Sequence, residues 1–158
     1  MQWTQTAVLV KPDGLQRGLI GEIISRFERK GLKLVGIKMV NMTDEMLGEW
    51  YAEHKEKSFF DELKSFMASM PVVAMAWEGI DAVSVVRKLV GLTLGREAEG
   101  GSIRGDFGMS QQFNLIHASA NDEDAKREIK IVFDEDELFK YDHTMEKLIY
   151  ADYERGSK

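Results

Sequence analysis

The chain has 158 residues, 44% hydrophobic and 30% charged, which suits a single domain over 1–158 with a continuous core and argues against extended disorder. Its 21 basic and 27 acidic residues leave a net charge of −6, so nucleic acid is not an expected partner and any anion must find a local basic site. The absence of cysteine excludes disulfides, thiolate metal sites and thiol nucleophiles. No apolar run approaches the roughly 18–20 residues that span a bilayer, and the first residues resemble no secretory signal; a cytoplasmic protein without membrane attachment is expected.

Residues 6–10 form a β-branched-rich run that predicts a first strand, closed by the turn signature Lys11-Pro12-Asp13-Gly14. Leu15, Leu19, Ile20, Ile23, Ile24 and Phe27 recur at helical spacing as far as Gly31, a helix-ending glycine. A second strand is predicted over 32–42, and Thr43 is suited to cap the next helix. Two apolar series between 43 and 70 read as a helical hairpin broken near 54–58. A third strand follows over 71–77, then a helix capped by Asp81 with Ala82, Val85, Val86 and Leu89 on its buried stripe.

Six glycines between 91 and 108 mark a long functional loop. Residues 113–118 resume as a fourth strand, and Ala125, Ile129, Val132 and Phe133 give the last helix its apolar face. The acids 122–124 suit that helix's first turn better than a calcium loop. About 152–158 is a polar, candidate mobile tail. The order β-α-β-α(α)-β-α-β-α predicts an α+β, ferredoxin-like (split βαβ) sandwich, a four-stranded antiparallel sheet covered by helices that can all lie on one face. A doubly wound parallel sheet competes with it on element order alone.

No phosphate-loop, dinucleotide or zinc-protease signature is present. The three histidines are scattered, so no protein-built metal site is assigned. His117 ends an apolar strand just before a helix, a common place for active sites. Glu128 on that helix is placed to hold one ring nitrogen and leave the other as a nucleophile. Lys11, Arg87 and Arg104, with Thr93 and Tyr51, offer a basic pocket for a polyphosphate. Phe59 lies outside the apolar series and offers a flat surface to a base.

Four separated motifs carry a resemblance: Lys11-Pro12-Asp13-Gly14, Gln16-Arg17-Gly18-Leu19, Ile103-Arg104-Gly105-Asp106-Phe107 and Asn114-Leu115-Ile116-His117-Ala118-Ser119. The chain resembles the nucleoside diphosphate kinase family from residue 6 to about 150. The resemblance implies ping-pong transfer of a γ-phosphoryl group from a nucleoside triphosphate to a nucleoside diphosphate through phosphohistidine at His117, with low base specificity. It implies that Glu128 and Ser119 orient His117 and that Tyr51 lines the site. Arg87, Thr93 and Arg104 would hold phosphates, while Lys11 and Asn114 meet the ribose and Lys11 also reaches the transferred group. Phe59 would stack on the base beside Leu63. Mg²⁺ would arrive on the nucleotide phosphates, and a homo-oligomer is implied, a hexamer before a tetramer.

The chain departs from the family's usual pattern at two single positions and in one loop. Ala120 stands where an aspartate is usual, Gln111 replaces a valine beside the base, and Leu92-Thr93-Leu94-Gly95 replaces Glu-Thr-Asn-Pro in a loop that commonly packs between subunits. Ala120 and the altered loop define the alternative reading, a catalytically weak nucleotide-binding or regulatory relative, while Gln111 bears on base contact.

Overall fold

The structure, a computed structural model, describes residues 2–156. The chain runs through β1 (Trp3–Val10), α1 (Pro12–Gln16), α2 (Ile20–Lys30), β2 (Lys33–Val40), α3 (Asp44–Trp50), α4 (Phe60–Ala68), β3 (Val72–Ile80) and α5 (Ala82–Val90). It continues with α6 (Ile103–Phe107), β4 (Ile116–Ala118), α7 (Asp122–Val132), α8 (Glu146–Ile149) and α9 (Asp152–Arg155). The strands form one sheet in the order β2-β3-β1-β4, with every neighbouring pair antiparallel. This is the α+β, ferredoxin-like arrangement, and it rules out the doubly wound parallel alternative. No helix among the described residues is long and apolar enough to cross a membrane.

Helices cover both faces of the sheet, not one as the element order allowed. Val8 and Val10 pack with Ile23 and Phe27 of α2 and Val86 of α5. Ala7 and Leu9 pack on the other side with Leu47 and Trp50 of α3, Met67 of α4 and Ile129 of α7. Successive strand residues point to opposite faces, so a central strand buried twice must be apolar without interruption, as residues 7–10 are.

Several local features differ from the sequence expectation. The turn at 11–14 closes into α1, and Gly18 at φ 66° separates that short helix from α2, so the helix expected from Leu15 comes in two pieces. Asp81 does not cap α5 with its side chain. Its carboxylate instead accepts from Gln2 N at 3.0 Å, and Thr4 Oγ1 takes the first-turn N–H of Ala82 at 2.9 Å. The glycine-rich stretch 91–108 contains α6 and a 3₁₀ turn at Gly95–Glu97. The fourth strand keeps only three residues, because Leu115 adopts φ 75° and ends the extended run. Thr43 and Gly31 hold the capping positions foreseen for them. Of the polar tail, Asp152–Arg155 is a helical turn, and Ser157 and Lys158 lie outside the described residues.

Candidate active site

His117 stands opposite Leu9 in the β1–β4 register. Cross-strand partners project from the same face, so its side chain leaves the sheet on the side covered by α3 and α7. There Oε1 of Glu128 lies 3.0 Å from His117 Nε2, and Oε2 accepts from Ser119 Oγ at 2.6 Å. Ser119 Oγ accepts in turn from Ala7 N at 3.2 Å, which ties the carboxylate to the central strand. Glu128 is only 3% exposed. A buried carboxylate facing Nε2 selects the tautomer protonated there and leaves the lone pair on Nδ1. Tyr51 stands edge-on to the imidazole, with ring centroids 6.5 Å apart. Burial first, and the Glu128 charge second, hold its phenol above the usual range.

The β4 entry is fastened to the residues after β1. Lys11 N donates to Leu115 O at 2.9 Å, and Asp13 Oδ2 accepts from Leu115 N at 2.9 Å, which supports the left-handed backbone at Leu115. A Cβ at residue 14 would lie 2.7 Å from Leu115 O and 2.8 Å from Val10 Cγ1. Only glycine lets α1 approach this segment so closely.

Lys11 is 6% exposed and donates through Nζ to Asn114 Oδ1 at 2.8 Å and Gln112 O at 3.2 Å. One of its three N–H donors stays free for a ligand. Burial, reinforced by the Arg104 charge, lowers its pKa from 10.5 to about 8. Asn114 Nδ2 donates to Thr93 O at 2.9 Å and Gln111 O at 2.7 Å. The same amide therefore braces the loop after α5, the segment before β4 and the lysine.

Arg104 donates to Gly91 O, Asn114 O and Ile116 O at 3.0, 3.3 and 2.6 Å, tying the glycine-rich segment to β4. Two of its five N–H donors remain. Burial, and then the neighbouring Arg87, bring its pKa down to about 10.

Lys11, Tyr51, Phe59, Leu63, Arg87, Thr93, Arg104, Asn114 and His117 line one cavity of about 540 Å³, a size suited to a small-molecule ligand. Ser119 and Glu128 are not on its wall; they lie behind His117, hydrogen-bonded as described. Among the described residues, no aspartate or glutamate lines the cavity. Two guanidiniums and an ammonium on a wall without a carboxylate are an anion site by construction. Phe59 is 45% exposed within it, in keeping with its place outside the apolar series. Gln111 and Ala120 also reach the wall, as do His54 and Gln112, which the sequence does not single out. Trp50, a member of the apolar helical series, packs on His117. Asp13 reads as a turn residue, and nothing in its spacing reveals that it binds Leu115 across 102 positions.

The family model described as nucleoside diphosphate kinase matches residues 4–138. The chain belongs to the nucleoside diphosphate kinase family. A nucleoside diphosphate kinase from Bacillus licheniformis is 53% identical over 146 residues, covering 92% of this chain and 99% of the relative. One from Sulfurisphaera tokodaii is 54% identical, covering 87% and 94%. Among solved structures, a halophilic nucleoside diphosphate kinase from Halobacterium salinarum in complex with CDP has a TM-score of 0.91 at 48% identity, covering 94% of this chain and 99% of that one. A transition-state mimic of the Borrelia burgdorferi enzyme with bound vanadate and ADP has a TM-score of 0.86 at 38% identity, covering 92% and 96%. As a nucleoside diphosphate kinase, the chain is a phosphotransferase acting on nucleotides.

Proposed function

We propose that His117 Nδ1 carries the phosphoryl group in a ping-pong relay. Nδ1 attacks the γ-phosphorus of a nucleoside triphosphate; the N–P bond forms as the bond to the β-phosphate oxygen breaks, and the diphosphate leaves. A second nucleoside diphosphate then takes the phosphoryl group by the reverse step. The observation that carries this reading is the engagement of His117 Nε2 by the buried Glu128, which leaves Nδ1 as the nucleophile of a ring on the cavity wall.

The remaining residues supply position and charge, the two things phosphoryl transfer asks of a protein. Glu128, held by Ser119, fixes the imidazole and balances the positive charge of the phosphorylated ring. Lys11, Arg87 and Arg104, with Thr93, hold the phosphate chain, and Lys11 follows the transferred group. Asn114 and Lys11 meet the ribose. Phe59 stacks on the base with Leu63 beside it, and stacking accepts every base because each presents a π-face. The Halobacterium relative binds CDP and the Borrelia relative ADP with vanadate, ligands of the class proposed here.

Mg²⁺ fits this site as a companion of the nucleotide, since the described wall offers no carboxylate to cage it. It supplies charge neutralisation on the phosphates when bound. We further propose one domain over residues 1–158, acting in the cytoplasm as a homo-oligomer, a hexamer before a tetramer. Exposed Leu92, Met109 and Phe113 around the altered loop support assembly.

The test is transfer of γ-label from ATP to GDP, CDP, UDP and dTDP. Comparable kcat/KM for all four, within about tenfold, and loss of transfer in His117→Ala support the relay. Transfer that survives His117→Ala would overturn it.

A further inference from the structure

We propose that Trp50 is a positioning residue for His117, its indole setting the plane of the imidazole. The inference rests on the relay reading above. The hydrogen bond from Nε2 to Glu128 holds one atom of the ring, but it tolerates tilt, and coupled small changes of χ1 and χ2 still let the ring rock. The Nδ1 lone pair lies in the ring plane, so any such rocking moves it off the axis of in-line attack. The plane must therefore be fixed by packing. The Trp50 and His117 ring centroids are 5.2 Å apart with an interplanar angle of 71°, within the range of an edge-to-face aromatic pair.

The indole is itself held. Trp50 is the last residue of α3, 3% exposed, and packs in the cluster that contains Leu9, Leu47 and Ile129. Its Nε1–H is buried without a hydrogen-bond partner among the described residues, a penalty that leucine or phenylalanine would avoid at the same place. That polar cost is set against the large apolar area the indole buries in this cluster, and the indole also presents a broad, rigid surface to the imidazole. Trp50 is also absent from the cavity wall, so its influence falls on the reacting ring and not on the nucleotide.

The experiment compares wild type, Trp50→Leu and Trp50→Phe in single-turnover phosphorylation by ATP, alongside nucleotide KM and thermal unfolding. Trp50→Leu should slow phosphorylation roughly tenfold with KM within about twofold, and Trp50→Phe should restore most of the rate. Tryptophan emission of the wild type gives a readout that needs no folded variant. Trp3 packs on Tyr150, and Trp77 on Phe27 in the other core cluster, so an emission change that tracks phosphorylation reports Trp50. A wild-type rate in folded Trp50→Leu, a loss shared with KM and not rescued by phenylalanine, or constant emission on phosphorylation would each overturn the proposal. A wild-type protein that forms no phosphoenzyme would overturn the relay reading instead.

Discussion

Glu128 holds two partners with one carboxylate, His117 through Oε1 at 3.0 Å and Ser119 through Oε2 at 2.6 Å. Glu128→Gln keeps both contacts, because the amide oxygen can accept from Nε2 while its NH₂ donates to Ser119 Oγ. It removes the charge that balances a phosphorylated imidazole. We expect turnover to fall roughly tenfold in Glu128→Gln and roughly 100-fold in Glu128→Ala. KM should change little, since Glu128 does not line the cavity. Steady-state kinetics of the two variants measure both effects.

Lys11 gives the site a pH dependence. Its folded pKa of about 8 lies below the ordinary 10.5, so capture of nucleotide by the free protein should weaken as pH rises through about 8 and the ammonium loses its proton. A kcat/KM profile should show this break, and Lys11→Met should lack it at a lower overall level. Stability moves the opposite way. Between about pH 8 and 10.5 the unfolded chain holds a proton that the folded chain has lost, so the penalty for burying the charged lysine is relieved as pH rises. That penalty is on the order of 3 kcal/mol below about pH 8, and denaturant titrations across the window would show its relief.

Close backbone contact makes Gly14 hard to replace. Gly14→Ala sets a methyl group against Leu115 O and Val10 Cγ1, which should lower stability by about 1–3 kcal/mol. It should also raise nucleotide KM, because Leu115 lies between Asn114 and Ile116 on the cavity wall. Gly21→Ala, where a Cβ meets nothing within 4 Å, is the control and should be tolerated in both thermal unfolding and kinetics.

Much of the fold and of the site is legible in the sequence. Periodicity locates the long helices, the apolar runs locate the strands, and the four motifs supply Lys11, Arg104, Asn114 and His117 to the cavity, while Tyr51, Phe59, Leu63, Arg87 and Thr93 come from outside them. What stays hidden follows from how these cues work. Residues 7–10 are apolar throughout, which betrays a strand buried on both faces, yet element order alone does not show that helices lie on both sides. Trp50 fits an apolar helical series, and periodicity cannot tell a core indole from one that faces a catalytic ring. Residue type marks Arg104 as a phosphate ligand, but its three bonds to main-chain carbonyls depend on backbone brought together from 91, 114 and 116. Asp13 and Leu115 meet only once the chain has folded.

Phe59 tests the stacking account. Its ring is half-exposed in the cavity, and Phe59→Ala should remove about 1–3 kcal/mol of base contact. KM should then rise about 5- to 160-fold, by similar factors for purine and pyrimidine nucleotides. A penalty confined to one base would point to hydrogen-bond recognition in place of stacking. Measuring KM for ADP, GDP, CDP and UDP in this variant distinguishes the two.

The most direct measurement of the central claim is the intact mass of the protein after incubation with ATP and Mg²⁺ and removal of nucleotide. The relay predicts one added phosphoryl group, labile in acid and stable in base, absent from His117→Ala and discharged by GDP or CDP. An adduct that persists in His117→Ala, or no adduct in a protein that turns over, would contradict it.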